Sequence, residues 1–179
     1  MTKSIALLRA VNVGGTNAIA MARLREIMAG LGCTDVTTLL QSGNLVFSSY
    51  ATDEHALVTL LEGAIASELG LDVKVVLRAQ DELEAVVAGN PFLAEKADPA
   101  RLHVTFLAAH PRARSVEQLN ADSFLPDECV VKGREVYLHC PHGYARTKLS
   151  NEAFERWFGV TATTRSWSTV VKLNALVHA

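Results

Sequence analysis

Long apolar runs are missing from this sequence: no stretch approaches the roughly 18 residues that a membrane span needs. The apolar segment Ile5 to Val11 near the start is interrupted at its centre by Arg9, which the apolar part of a signal peptide would not carry. Cysteine is scarce, with only Cys33, Cys129 and Cys140, an odd set lacking any C-x-x-C spacing. Such a set predicts free thiols in a reducing compartment, so the chain reads as cytoplasmic. Charge of one sign is lacking as well, with 17 Lys and Arg against 19 Asp and Glu, a formal net of −2. The molecule as a whole then has no field that would draw nucleic acid or an acidic membrane, and only a local basic patch remains open.

Catalytic sets are also absent. No Ser, His and Asp combination and no paired carboxylates stand out, so no residue is assigned a catalytic role and an enzymatic activity stays open. The segment His139-Cys140-Pro141-His142, with Cys129 on the neighbouring strand, is superficially metal-like. Its spacing fits no common zinc pattern, and His139 and Cys140 fall on opposite strand faces. No metal and no cofactor is expected.

What is present is ordinary globular composition, 49% hydrophobic and 20% charged, which sets disordered and fibrous classes aside. Ile5 to Val11 predicts a strand. Met21, Leu24, Ile27, Met28 and Leu31 recur at helical spacing, and Gly32 ends that helix. Val36 to Leu40 and Leu45 to Phe47 predict a hairpin about Gln41-Ser42-Gly43-Asn44. Thr52 caps a helix striped by Leu57, Leu60, Leu61, Ala64, Ile65 and Leu69 and stopped at Gly70. Val73 to Leu77 is a fourth strand, followed by a helix from Gln80 to Ala88. From Leu102 the order recurs: strand His103 to Leu107, a weak helix about Arg112 to Asn120, and a hairpin about Lys132-Gly133-Arg134. A helix striped by Leu149, Ala153, Trp157 and Phe158 and closed by Gly159, a strand from Val160 to Thr164 and a last helix from Trp167 complete it.

This order predicts an α+β fold of two ferredoxin-like βαββαβ modules. Each has an antiparallel four-stranded sheet of strand order 4-1-3-2 and an extra C-terminal helix. The modules span 1–90 and 101–179, joined by a linker over 91–100, and the shared order reads as an internal duplication. The uncovered face of each sheet needs burial, which a partner module would supply.

In a βαββαβ module the first connection and the central hairpin lie at one end of the sheet. In module one these are Asn12-Val13-Gly14-Gly15 and Gln41-Ser42-Gly43-Asn44. In module two the opposite end gathers His142 to Lys148 and Arg165-Ser166-Trp167. Arg9 falls on an apolar strand face, where a charge must be paired or meet a ligand. Gly14 and Gly15 fit either a tight turn or an anion nest, and Ser42 and Asn44 fit hairpin chemistry or a binding loop. Arg146 and Lys148 sit at a helix N-terminus, where cations oppose the dipole unless an anion offsets them, though solvated charge is the plain alternative. Arg165 and Trp167 suit a clamp on a planar or phosphorylated ligand, Trp167 also suiting a core anchor. If the modules pack side by side with their first strands opposed, these groups become one composite site, to which Lys172 is the most remote contributor.

The segments LLRAVNVGG, MARLREIMAGLG, LLQSGNLVF, ARTKLSN and TTRSWSTVVKL, in that order, resemble the DUF1697 family over nearly the whole chain. Ala10 stands where that family usually has glycine, and Ser166 and Ser168 where it has asparagine. The resemblance implies paired α+β modules and no established activity. Three functions follow: binding of a small anionic ligand such as a phosphate or nucleotide between the modules, a protein-interaction module with a structural basic cluster, and local nucleic-acid binding. RNA recognition on such a sheet needs aromatics on the two central strands, which module one lacks except for Phe47 and module two supplies as Phe106 and Tyr137. Oligomeric state has no signal in the sequence.

Overall fold

The computed structural model describes residues 1–179. The first module runs β1 (Thr2–Leu8), α1 (Met21–Gly30), β2 (Thr34–Leu39), β3 (Asn44–Ser49), α2 (Glu54–Leu69) and β4 (Val75–Ala79), and leads straight into α3 (Gln80–Ala88). A short α4 (Pro91–Ala94) and a 3-10 turn, Pro99–Arg101, follow. The second module runs β5 (Leu102–Leu107), α5 (Ala113–Glu117), a 3-10 turn at Ala121–Phe124, β6 (Glu128–Lys132) and β7 (Glu135–His139). It continues through a 3-10 turn at Tyr144–Arg146, α6 (Asn151–Phe158) and β8 (Ala162–Ser166) into α7 (Trp167–His178). The sheets are ordered β2-β3-β1-β4 and β6-β7-β5-β8, with every pairing antiparallel. This is the α+β architecture of two similar modules that the element order predicts. By backbone contacts the chain divides into Met1–Glu84 with Leu173–Ala179 as one compact unit, and Ala85–Lys172 as the other.

Alternation along the strands builds each core. Ala6, Leu8, Leu45, Phe47, Val75 and Leu77 point to the helical face of the first sheet and meet Leu24 and Met28 of α1 and Leu57, Leu61 and Ile65 of α2. In the second sheet Leu107, Val136, Leu138 and Ala162 pack with Leu149 and with Phe154 and Phe158 of α6. Each Val, Leu, Ile, Met or Phe side chain among them contributes about 1.5–3 kcal/mol by leaving water. The alternate residues Ile5, Leu7, Val76 and Arg78 are buried too, and Arg78 is the largest fully buried side chain.

The modules match in detail that residue identity hides. Ile5 lies between Val46 and Arg78 in the first sheet, as Val104 lies between Tyr137 and Arg165 in the second. A helix glutamate accepts the first N–H of the last strand in both: Glu62 Oε1 from Val75 at 2.9 Å, and Glu155 Oε1 from Ala162 at 3.1 Å. Gly70 and Gly159 end α2 and α6 with φ of 66° and 67°, in the left-handed region that glycine enters without strain.

Some boundaries differ from the sequence expectation. β1 ends at Leu8 rather than Val11, because Ala10 and Asn12 both adopt φ of 54° and turn the chain out of the sheet. Arg9 is therefore not on a strand face. It is half-buried just past β1, with its N–H bonded to the Lys74 carbonyl at 2.8 Å. The cap of α2 is Asp53, whose carboxylate accepts the Ala56 N–H, rather than Thr52. A left-handed alanine costs about 1–2 kcal/mol, of which the greater unfolded-state freedom of glycine returns a part. Ala10→Gly is accordingly expected to stabilise the protein by about 0.5–1 kcal/mol. A urea midpoint unchanged or lowered in that variant would show that Ala10 carries no strain.

Candidate functional site

In the first unit the two polar loops do meet, and one side chain joins them. Asn12 Nδ2 donates to the Ile19 carbonyl at 2.9 Å and the Gln41 carbonyl at 2.6 Å, while its Oδ1 accepts the Ile19 N–H at 2.9 Å. Between them Val13-Gly14-Gly15-Thr16 folds into a tight hairpin, with Thr16 N–H on the Val13 carbonyl at 3.1 Å. Gly14 and Gly15 have φ of 59° and 79° with open space beside each, so they are there for backbone shape. Asn44 is fully buried and donates to the Leu39 carbonyl at 2.8 Å and Ser42 Oγ at 2.9 Å. Asn12 and Asn44 thus spend these polar atoms on holding the loops, while Gln41 is exposed.

In the second unit the loop after β7 is built before it reaches any ligand. Gly143, at φ of 93°, donates to the Cys140 carbonyl at 2.9 Å. Tyr144 stacks on His103 of β5 with ring centroids 4.8 Å apart. Thr147 N–H returns to the Tyr144 carbonyl at 3.1 Å, and Thr147 Oγ1 accepts the N–H of fully buried Leu149 at 3.1 Å. Burial pushes the His103 pKa down, with a backbone bond at Arg101 partly opposing it, so the ring sits neutral beneath the loop.

Arg146 and Lys148 project from this loop and are exposed. They are not in the first turn of α6, which begins at Asn151 with Ser150 as its cap and carries Glu152 there instead. What gathers them is a cleft of about 390 Å³, in the range of small-molecule sites. Arg146, Lys148, His142 and Gly143 form one side, and the 123–127 segment, ending in Asp127, forms the other. Neither cation is in an ion pair.

Arg165 and Trp167 lie elsewhere in environment. Arg165 is buried, its Nη1 donating to Thr163 Oγ1 at 2.7 Å and the Thr164 carbonyl at 3.0 Å. Desolvation pushes its pKa down to about 10, with Tyr144 opposing. Trp167 is buried at the start of α7, and Lys172 is exposed further along that helix. Ser166 and Ser168 face one another at 3.2 Å, and Ser166 also reaches Thr169 at 2.9 Å. Phe47, Phe106 and Tyr137 are all buried, so the sheets offer no aromatic face to a base. The three cysteines are free thiols.

Sequence reasoning missed two features. Arg78 is a lone cation in the apolar run VVLRA, the same signal that marked Arg9 in IALLRAV. The other is a second cleft of about 330 Å³ formed mainly by Gln118, Asn120, Ser123, Phe124 and Trp157. Phe124 and Trp157 meet there with centroids 5.2 Å apart, tilted by 48°. Trp157 stood in the sequence as one more member of a helical stripe, and its half-exposure comes from tertiary packing.

The sequence profile of a family described as "Protein of unknown function (DUF1697)" matches residues 1–137. Among solved structures, the chain is similar to the conserved bacterial protein SP0830 from Streptococcus pneumoniae. The TM-score is 0.77 at 22% identity, over 100% of this chain and 99% of that one. No curated protein matches the sequence.

Proposed function

The chain belongs to the DUF1697 family, and we propose that it binds a small phosphate-bearing anion on Arg146 and Lys148. The observation that carries this reading is the 390 Å³ cleft, where two exposed cations outside any ion pair, with His142 beside them, oppose the single carboxylate of Asp127. Cations held together repel, and an anion between them relieves that repulsion. The backbone around them is fixed by the Tyr144–His103 stack and the buried Leu149 anchor, so the ordering cost of binding falls on the two side chains and not on the loop.

A ligand that binds only the native state raises its stability. Inorganic phosphate or pyrophosphate is expected to raise the melting temperature beyond chloride at equal ionic strength. Arg146→Ala with Lys148→Ala is expected to remove that increment and leave the unliganded melting temperature nearly unchanged, since both side chains are exposed. An increment that persists in the double variant, or none in the parent protein, defeats the reading.

Two broader readings go with it. The modules are ferredoxin-like units descended from one duplicated ancestor, supported by the matched Arg78 and Arg165 registers and the Glu62 and Glu155 contacts. The setting is cytoplasmic, which suits three unpaired thiols.

A further inference from the structure

We infer that the anion is the phosphate of a nucleoside monophosphate whose base enters the neighbouring aromatic cleft, an inference that rests on the anion reading above. Ser123 and Phe124 line both clefts, so the two are adjoining parts of one trough in the second unit. The parts differ in chemistry. The cationic part holds Arg146, Lys148 and His142, whereas every residue lining the aromatic part is uncharged. A ligand filling both therefore carries its negative charge at one end and a neutral, planar, partly apolar group at the other.

The neutral end meets Phe124 and the half-exposed Trp157, which favour a flat ring over an aliphatic or sugar group. Gln118 and Asn120 stand beside those rings. Each side-chain amide offers both donors and acceptors, the complement of a base edge. The 3-10 turn between the parts is held by Ser123 Oγ donating to the Asn120 carbonyl at 2.6 Å. A sugar phosphate would leave without a partner the part of these rings that Arg156 and Phe154 do not cover, and a free base would leave the cations without a counter-charge. Asp127 in the cationic part opposes the extra charge of a di- or triphosphate, which favours the monophosphate.

The test compares inorganic phosphate, ribose 5-phosphate, the four common nucleoside monophosphates and the corresponding nucleosides, by thermal shift and calorimetry on the full chain. At least one monophosphate is expected to bind on the order of 10-fold tighter than ribose 5-phosphate, the worth of one stacked base. Trp157→Leu is expected to abolish that advantage while the phosphate increment persists. Gln118→Ala, an exposed position, gives a second variant whose fold is not at risk and is expected to weaken the nucleotide alone. If phosphate stabilises the protein but no nucleotide exceeds ribose 5-phosphate, this inference falls and the anion reading stands. An advantage that survives both variants also overturns the placement of the base. If no phosphate compound binds, both readings fall together.

Discussion

Gly43→Ala is expected to destabilise the protein by about 3 kcal/mol, lowering the melting temperature by roughly 6–12 °C. Two causes add. Gly43 has φ of 77°, where an alanine costs about 1–2 kcal/mol. A Cβ there would also stand 2.7 Å from the Leu8 Cβ and 3.4 Å from that of Val11. A Cβ cannot swing aside as a side-chain tip can, so β1 and the hairpin must part, and overpacking of this kind costs about 1–3 kcal/mol. The Leu8 N–H bonds to the Gly43 carbonyl at 2.8 Å, so the strain falls on the end of the central ladder. Gly14→Ala and Gly15→Ala are the controls: positive φ, open space, and an expected loss of about 1–2 kcal/mol each. Chemical denaturation of the three variants decides the matter. Equal losses at all three positions would mean that the close approach carries no weight.

Stability is expected to decline as pH rises above neutrality, with the buried thiols as the main cause. Burial pushes the Cys140 and Cys129 thiols up to about 11, and the Tyr137 hydroxyl up to about 12 with Glu135 adding to it. An unfolded thiol releases its proton near 9, while the native one holds it to about 11. Between those values the native state binds more protons than the unfolded state, so stability falls with rising pH. For fully buried Cys140 alone this amounts to about 1.4 kcal/mol by pH ~10. Cys33, also pushed up by burial, acts in the same direction. Arg165, pushed down to about 10, begins to lose its proton in the native state at the top of this window and there opposes the decline, while below it the thiols act alone. Urea midpoints from about pH 8 to about pH 10 should fall, and Cys140→Ala should flatten the decline. A flat profile in the parent protein is the contrary result.

Most of the element order was legible because local signals agreed with tertiary need. Aliphatic and β-branched runs bounded by turn residues marked the strands, helical stripes marked α1, α2 and α6, and Gly70 and Gly159 marked two helix ends. Where a left-handed residue decided an end, the sequence was silent. Ala10 carries no turn signal, so β1 read three residues too long and Arg9 was placed on a strand face. The meeting of the Asn12 and Gln41 loops followed from topology alone. The cationic pair Arg146 and Lys148 was legible as residues, but the setting that groups them was not. The 123–127 segment opposite them is distant in sequence, and nothing in its composition marks it as a cleft wall. Arg78 escaped because one cation in a buried strand reads as a strand boundary when the neighbouring helix follows at once.

The division of the chain bears on how it is made. The first compact unit takes in Met1–Glu84 and also Leu173–Ala179, within which Leu173 and Val177 are fully buried. A domain generally folds as soon as its residues have left the ribosome, the N-terminal one first. Here Leu173–Ala179, made after the whole of the second unit, belong to the unit begun first. That unit is completed only by residues that follow the whole of the second, so a nascent chain that stops short of Leu173 holds it incomplete however far the second unit has formed.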